Sequence, residues 1–284
     1  SSLFFFKILI QILFPPLMIM TWGIENFGIW LFLLSLPALL SAANINFSAS
    51  VQQEMIYFYN QNNPDKVKAI FQSGNLLTLI TITIFCILSS IFYFSSDFNF
   101  KATENIPLDV FKMSFIIIVF TICLNILDGI FVSAIIAVKG KIYIIDYNRI
   151  IFDTILKTSL VASGLFFENF FVMVLIFLIL KIIQTISFYF FYTIHKDYLK
   201  ISFYKFSKKE LFRQLKLSVS YNIELIKEVI NNNGLLVILG IFFNSSIVAL
   251  VSTSKTLFYF FPKQLFANLN WVSLYEYSSL FANQ

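Results

Sequence analysis

Charge is scarce in this chain. Only 12% of its 284 residues are Asp, Glu, Lys or Arg, about half the usual share for a soluble domain. So few polar groups cannot clothe a water-facing surface, and disorder, which needs low hydrophobicity and high charge, is excluded as well. Eight Gly and six Pro with no period rule out a collagen-like chain. A coiled coil is excluded too, as no sustained heptad pattern appears. The two cysteines, Cys86 and Cys123, both lie inside apolar runs, which leaves no disulfide framework and no zinc site. The single histidine, His195, lies in a polar stretch beside Asp197 with no nucleophile in a recognisable pattern. G-x-S-x-G, H-E-x-x-H, Walker A and C-x-x-C motifs are absent, and so is a D-x-D cluster for a glycosyltransferase metal. These absences count against an enzyme.

What is abundant is apolar. Hydrophobic residues make up 58% and aromatic ones 19%, including 37 Phe, and mean hydropathy is +0.82. A lipid bilayer is the solvent that accepts such a surface. The many Phe are expected to face lipid and to carry no functional message. The chain has no initiator Met and opens directly into an apolar stretch; the expectation is about two-thirds of a longer polytopic protein.

A hydrocarbon core takes roughly 20 apolar residues per helix, and eight such segments are expected. They run from Leu3 to Trp22, with Pro15 and Pro16 inside, and from Gly28 to Phe47 after a tight turn Gly23–Gly28. Further segments are Ala69 to Phe94, Val110 to Val138, Ile142 to Phe167 and Phe170 to Ile194. The last two are Leu217 to Phe243 and Ser246 to Val272. Polar loops are expected over 48–68, 95–107 and 195–216, the first carrying the Asn-Asn-Pro-Asp turn signal. With the N-terminus inside, one set of loops holds Lys66, Lys68, Lys139, Lys141, Lys196, Lys200, Lys205, Lys208, Lys209, Arg213 and Lys216. The other set holds Lys101, with Lys112 at a span edge. This is a strong positive-inside pattern, which sets the N-terminus in the cytoplasm. The basic run 195–216 reads as an anchor on anionic lipid head groups rather than a nucleic-acid or protein docking site.

Charge inside a span is costly and marks a bundle interior or aqueous cavity. In the fifth segment Asp146, Arg149, Asp153 and Lys157 fall within an arc of about 80° at 100° per residue, with alternating signs suited to neighbouring ion pairs. In the seventh, Glu224, Lys227, Glu228 and Asn231 share an arc of about 100°. The fourth aligns Ser114, Thr121, Asn125 and Asp128. Lys181 and Gln184 interrupt the sixth, and Lys255 the eighth. Mutual neutralisation within the bundle is the alternative reading for any single pair. For all of them together a hydrated cavity is the economical one, because a closed bundle would desolvate too many charges.

The order of these features resembles a known family. Trp22-Gly-Ile-Glu-Asn-Phe-Gly-Ile-Trp-Leu-Phe, with Gly23, Glu25, Phe27, Gly28 and Trp30 matching, looks like the turn near the start of Wzx-type polysaccharide flippases, O-antigen transporters of the multidrug/oligosaccharidyl-lipid/polysaccharide superfamily. Phe27 stands where that turn usually has Tyr. Gly240 to Phe260 resembles the opening of the family's second lobe, and Tyr275-Glu-Tyr-Ser-Ser-Leu its "Pro-Glu-x-Ser" segment without the Pro. The Phe27 and Ser245 regions occupy corresponding places in a faint internal repeat.

The resemblance implies an all-α polytopic membrane protein of two lobes. Residues 1–205 would form the first lobe with its basic linker, and 206–284 the first two helices of the second. It implies flipping of a polyprenyl-pyrophosphate-linked oligosaccharide across the bacterial cytoplasmic membrane. No cofactor is expected beyond a coupling proton or sodium ion. The expected partners are the lipid-linked oligosaccharide, the bilayer and polysaccharide polymerase or chain-length machinery, with no nucleic acid. The cavity set is Arg149, Lys157, Lys227 and Lys255 for pyrophosphate and anionic sugars. Asp128, Asp146, Asp153, Glu224 and Glu228 would balance them, with Asn125 and Asn231 as polar lining. A drug/cation antiporter of the same fold and an O-antigen polymerase or membrane transferase are the alternatives.

Overall fold

The computed structural model describes all residues except 1, 42–46, 96–99, 140–141, 168, 196–198, 203, 205 and 259–284. Among the described residues there is no strand. Helices α1 (Ser2–Trp22), α2 (Ile24–Ser41), α3 (Ser48–Asn60), α4 (Pro64–Ser95), α5 (Leu108–Lys139), α6 (Ile142–Phe166) and α7 (Phe170–His195) come first. Then α8 (Lys208–Val229), a π-helical turn Ile230–Gly234 and α9 (Leu235–Phe242) follow without a break, and α10 occupies 245–258. Among the described residues, four helical stretches are long and apolar enough to cross a membrane: Ile24–Ser41, Pro64–Ser95, Leu108–Ile136 and Phe170–His195. The chain is therefore an all-α membrane protein.

Local chemistry sets the helix ends. Gly23 separates α1 from α2 at φ +81°, a conformation an L side chain rarely adopts. The expected six-residue turn is thus a single residue, because Ile24 to Gly28 already belong to α2. The Asn-Asn-Pro-Asp signal does end one helix and start another. Asn62 takes φ +54°, Asn63 Oδ1 accepts the Lys66 amide at 3.2 Å, and Pro64 opens α4, where its missing N–H costs nothing. Two stretches expected to be loop are helical instead. Residues 48–60 form α3, and α8 begins inside the basic run. Ser207 caps α8 by accepting the Glu210 amide, so Ser207-Lys-Lys-Glu210 matches the Ser-x-x-Glu capping signature.

Helix α5 is the centre of the bundle, touching α2, α3, α4, α6 and α7, while α1 lies on α6 and α2. One apolar cluster joins Trp22, Phe27, Trp30, Phe32, Phe111 and Phe115. A second gathers Met55, Phe71, Phe131, Ile135, Phe188 and Tyr192 around α3, α4, α5 and α7. Phe27, Phe32, Phe71, Phe85, Phe111 and Phe115 are among the largest fully buried side chains, which corrects the expectation that Phe is lipid-facing filler. Phe32 illustrates why, stacking on Phe111 and meeting Phe100 edge-on. Such aromatic pairs favour a particular partner and angle in a way aliphatic side chains do not. The lipid-facing role falls instead to rows such as Ile80, Ile84, Ile87 and Ile91 on α4, all exposed.

Helix α9 crosses α2 at close range. A Cβ on Gly240 would overlap the Phe32 ring, and one on Gly28 would overlap the Ser245 carbonyl. Close backbone approach through small residues is how helices associate where lipid is as apolar as leucine.

Candidate functional site

The deepest charges meet between α5 and α7. Lys181 Nζ lies 2.6 Å from Asp128 Oδ2, and both side chains are more than nine-tenths buried. The same ammonium donates to Gln184 Oε1, one turn on, at 2.9 Å. Asp128 Oδ1 and the nearby Thr185 hydroxyl have no hydrogen-bond partner among the described residues. A carboxylate and an ammonium cannot be left singly in hydrocarbon. Their pairing is what permits either to be buried.

Helix α6 adds a second pair. Lys157 Nζ donates to Asp153 Oδ2 at 2.7 Å, one helical turn away, and to Gln11 Oε1 of α1 at 2.9 Å. A cavity of about 100 Å³ separates the two pairs, lined by Asp153 from α6 and by Lys181 and Gln184 from α7, among apolar neighbours. Asn148 of α6 donates to Ser187 of α7 at 2.6 Å, extending the polar seam along the same interface. Arg149 is exposed, yet close enough to act electrostatically on both Asp128 and Lys181. Together, α1, α5, α6 and α7 hold a seam of alternating charge in an otherwise apolar bundle.

The placement of the expected residues is therefore uneven. Asp128, Asp153 and Lys157 sit in the seam, and Arg149 borders it. The alternating ladder on α6 reduces to one ion pair: among the described residues, Asp146 and Arg149 are both exposed and not bonded to each other. Asn125 is also exposed and stands apart from its buried stripe-mates Ser114 and Thr121. Lys227, Glu228 and Asn231 are exposed on α8 and the π-turn, and the Glu224 side chain lies outside the described residues. Lys255 donates to the Asn231 carbonyl at 2.9 Å, bridging α10 to the π-turn. Helix α6 packs on α1 and α7 but α8 on α3 and α4, so the α8–α10 residues form a second group distinct from the seam.

Sequence reasoning missed a third polar region. Glu54 of α3 pairs with Arg213 Nε of α8 at 2.9 Å, and Arg213 also meets Glu210 at 2.7 Å. Gln214 donates to Glu54, and Ser50 Oγ lies 2.7 Å from Ser218 Oγ. Burial raises the Glu54 carboxyl above its ordinary range, against the opposing pull of Arg213. The capping signature at 207–210 and the four-residue repeat Glu210, Gln214, Ser218, Asn222 were the signals available in the sequence. Lys181, one half of the deepest pair, was visible only as an interruption of the sixth segment.

No family model matches the chain, and neither a curated protein nor a solved structure matches it.

Proposed function

We propose that the chain is a transporter that moves a polyprenyl-pyrophosphate-linked oligosaccharide across the bacterial cytoplasmic membrane by alternating access, for surface polysaccharide such as O-antigen. The observation that carries this reading is the charged seam, with Asp128–Lys181 at 2.6 Å and Asp153 on the far wall of the same cavity. Two ion pairs along one interhelical surface mark a route for polar groups more economically than a scaffold would. The sequence resemblance at Gly23, Glu25, Phe27, Gly28 and Trp30 supports the same reading. In it α1, α6, the 208–242 helix and α10 cross as well, giving eight spans with the N-terminus cytoplasmic. Residues 206–284 would begin a second lobe, whose relation to the first opens and closes the cavity. Arg149 and Lys157 would meet pyrophosphate and anionic sugars, since a fixed cation is most effective where the dielectric is low. Lys227 and Lys255 would do so from the other lobe, and a proton or sodium ion on one of the carboxylates would drive the cycle.

The test is complementation of a flippase-deficient strain by the full-length protein. Arg149→Gln and Lys227→Gln should each abolish surface polysaccharide while leaving membrane insertion intact. Normal complementation by both variants would overturn the cationic-cavity mechanism. Loss of drug resistance in place of polysaccharide would favour the antiporter reading.

A further inference from the structure

The first four turns of α8 are inside out. Glu210, Gln214, Ser218 and Asn222 recur every fourth residue and are all buried, bonded to α3 or to their own helix. The outward face carries Lys208, Lys209, Phe212, Lys216 and Ile223, all exposed, with Phe212 at 68% and Ile223 at 64%. At 100° per residue these five fall within an arc of about 100°. The arc carries no carboxylate, because Glu210 is turned inward onto Arg213. Just before it, Tyr204 is 93% exposed.

The level of this face relative to the bilayer follows from α4. Ser73 of α4 donates to the Ser207 carbonyl at 3.4 Å, which fixes the start of α8 beside Ser73. Along α4, Ser73 lies 22 residues from the helix end at Ser95, about 33 Å at 1.5 Å per residue. That is roughly one hydrocarbon thickness. The lysine-rich arc therefore begins at the edge of the bilayer.

We propose that this face of α8 binds the anionic phospholipid of the adjacent leaflet, its lysines on the phosphates and Phe212 at the acyl boundary. The charge is of one sign, the apolar residues alternate with it, and lysine stems lie along apolar surface while their ammonium groups reach the head groups. This goes beyond the proposed transport function and sorts the basic run: Lys208, Lys209 and Lys216 serve lipid, whereas Arg213 serves the protein.

The test uses the full chain in nanodiscs, with Cys86 and Cys123 replaced by Ser and Phe212→Cys carrying a fluorophore. Brominated phosphatidylglycerol or brominated phosphatidylcholine is included at about 10 mol%, within a mixed bilayer. Each membrane-adjacent lysine favours anionic lipid by about fivefold. Quenching by the phosphatidylglycerol should then exceed that by the phosphatidylcholine by about threefold or more. The excess should vanish in the Lys208→Ala/Lys209→Ala/Lys216→Ala variant and persist in the corresponding triple Lys→Arg variant. A label at Ile87, on the exposed row of α4, should be quenched equally by both lipids and also reports correct insertion. Equal quenching at position 212 by the two lipids would overturn the proposal. So would a label reached by aqueous iodide but by neither lipid, as expected if a protein or nucleic-acid partner or open water faces the helix.

Discussion

The Asp128–Lys181 pair gives a quantitative test of the seam. Lys181→Met keeps the length of the side chain and removes its charge, leaving a carboxylate that is more than nine-tenths buried without its counter-ion. Breaking a buried pair from one side costs about 3–5 kcal/mol. Asp128→Asn is the milder lesion, because Lys181 keeps its 2.9 Å bond to Gln184, and about 2 kcal/mol is expected from a charge left partly solvated by one amide. The double variant carries neither charge and should recover most of the loss, since no unpaired charge is then left buried and the remaining Asn amide costs far less to bury than a charge. The coupling between the two positions should therefore be about 3 kcal/mol or more, at or above the upper end seen for directly bonded neighbours. Thermal unfolding in detergent reads this out. At about 2 °C per kcal/mol for a chain of this size, Lys181→Met should lower Tm by about 6–10 °C, and the double variant by less than half of that. A double-variant loss equal to the sum of the two single losses would refute the argument that these groups neutralise each other in a low-dielectric site.

Three further outcomes follow from the packing and the α3–α8 contact. Gly28→Ala should destabilise by about 2 kcal/mol or more, because its Cβ meets the Ser245 backbone carbonyl, which cannot rotate away; Gly240→Ala should cost a similar amount in the same melt, because the Phe32 ring it meets is fully buried between Phe100 and Phe111. The Glu54 carboxyl is raised above 4.5 by burial, so the folded state holds its proton more tightly than the unfolded chain does. Stability should therefore fall as pH rises from about 4.5 through the raised value and then level off, and Glu54→Gln should flatten that segment of the pH–Tm profile. Arg213→Gln should raise the Glu54 carboxyl further and widen the same pH window, visible as a shifted midpoint in the profile.

Much of the architecture could be read directly from hydropathy. Helices stand at all eight apolar segments, with the last described only to residue 258, since apolar runs of this length in lipid must satisfy their backbone internally. Where the pattern turned amphipathic, the reading failed: α3 and the first turns of α8 were hidden in polar stretches that hydropathy alone assigns to loops. Within α6 the shared arc of Asp153 and Lys157 was legible, because helical periodicity puts them one turn apart. The seam's other half was not, because Asp128 and Lys181 are separated by 53 positions and only the docking of α7 on α5 brings them together.

The sequence by itself determined that this chain lives in a membrane as helices, where their apolar stretches lie, and that charge lies inside several of them. It could not determine which way each helix turns. Lipid and a neighbouring helix are equally apolar, so hydropathy cannot separate Phe32, fully buried, from Phe190, largely exposed. Tertiary structure made that choice, through aromatic stacking in the core, close glycine crossings and the need of each buried charge for a specific partner. The same choice turned Glu210, Gln214, Ser218 and Asn222 of α8 inward and left Lys208, Lys209 and Lys216 exposed.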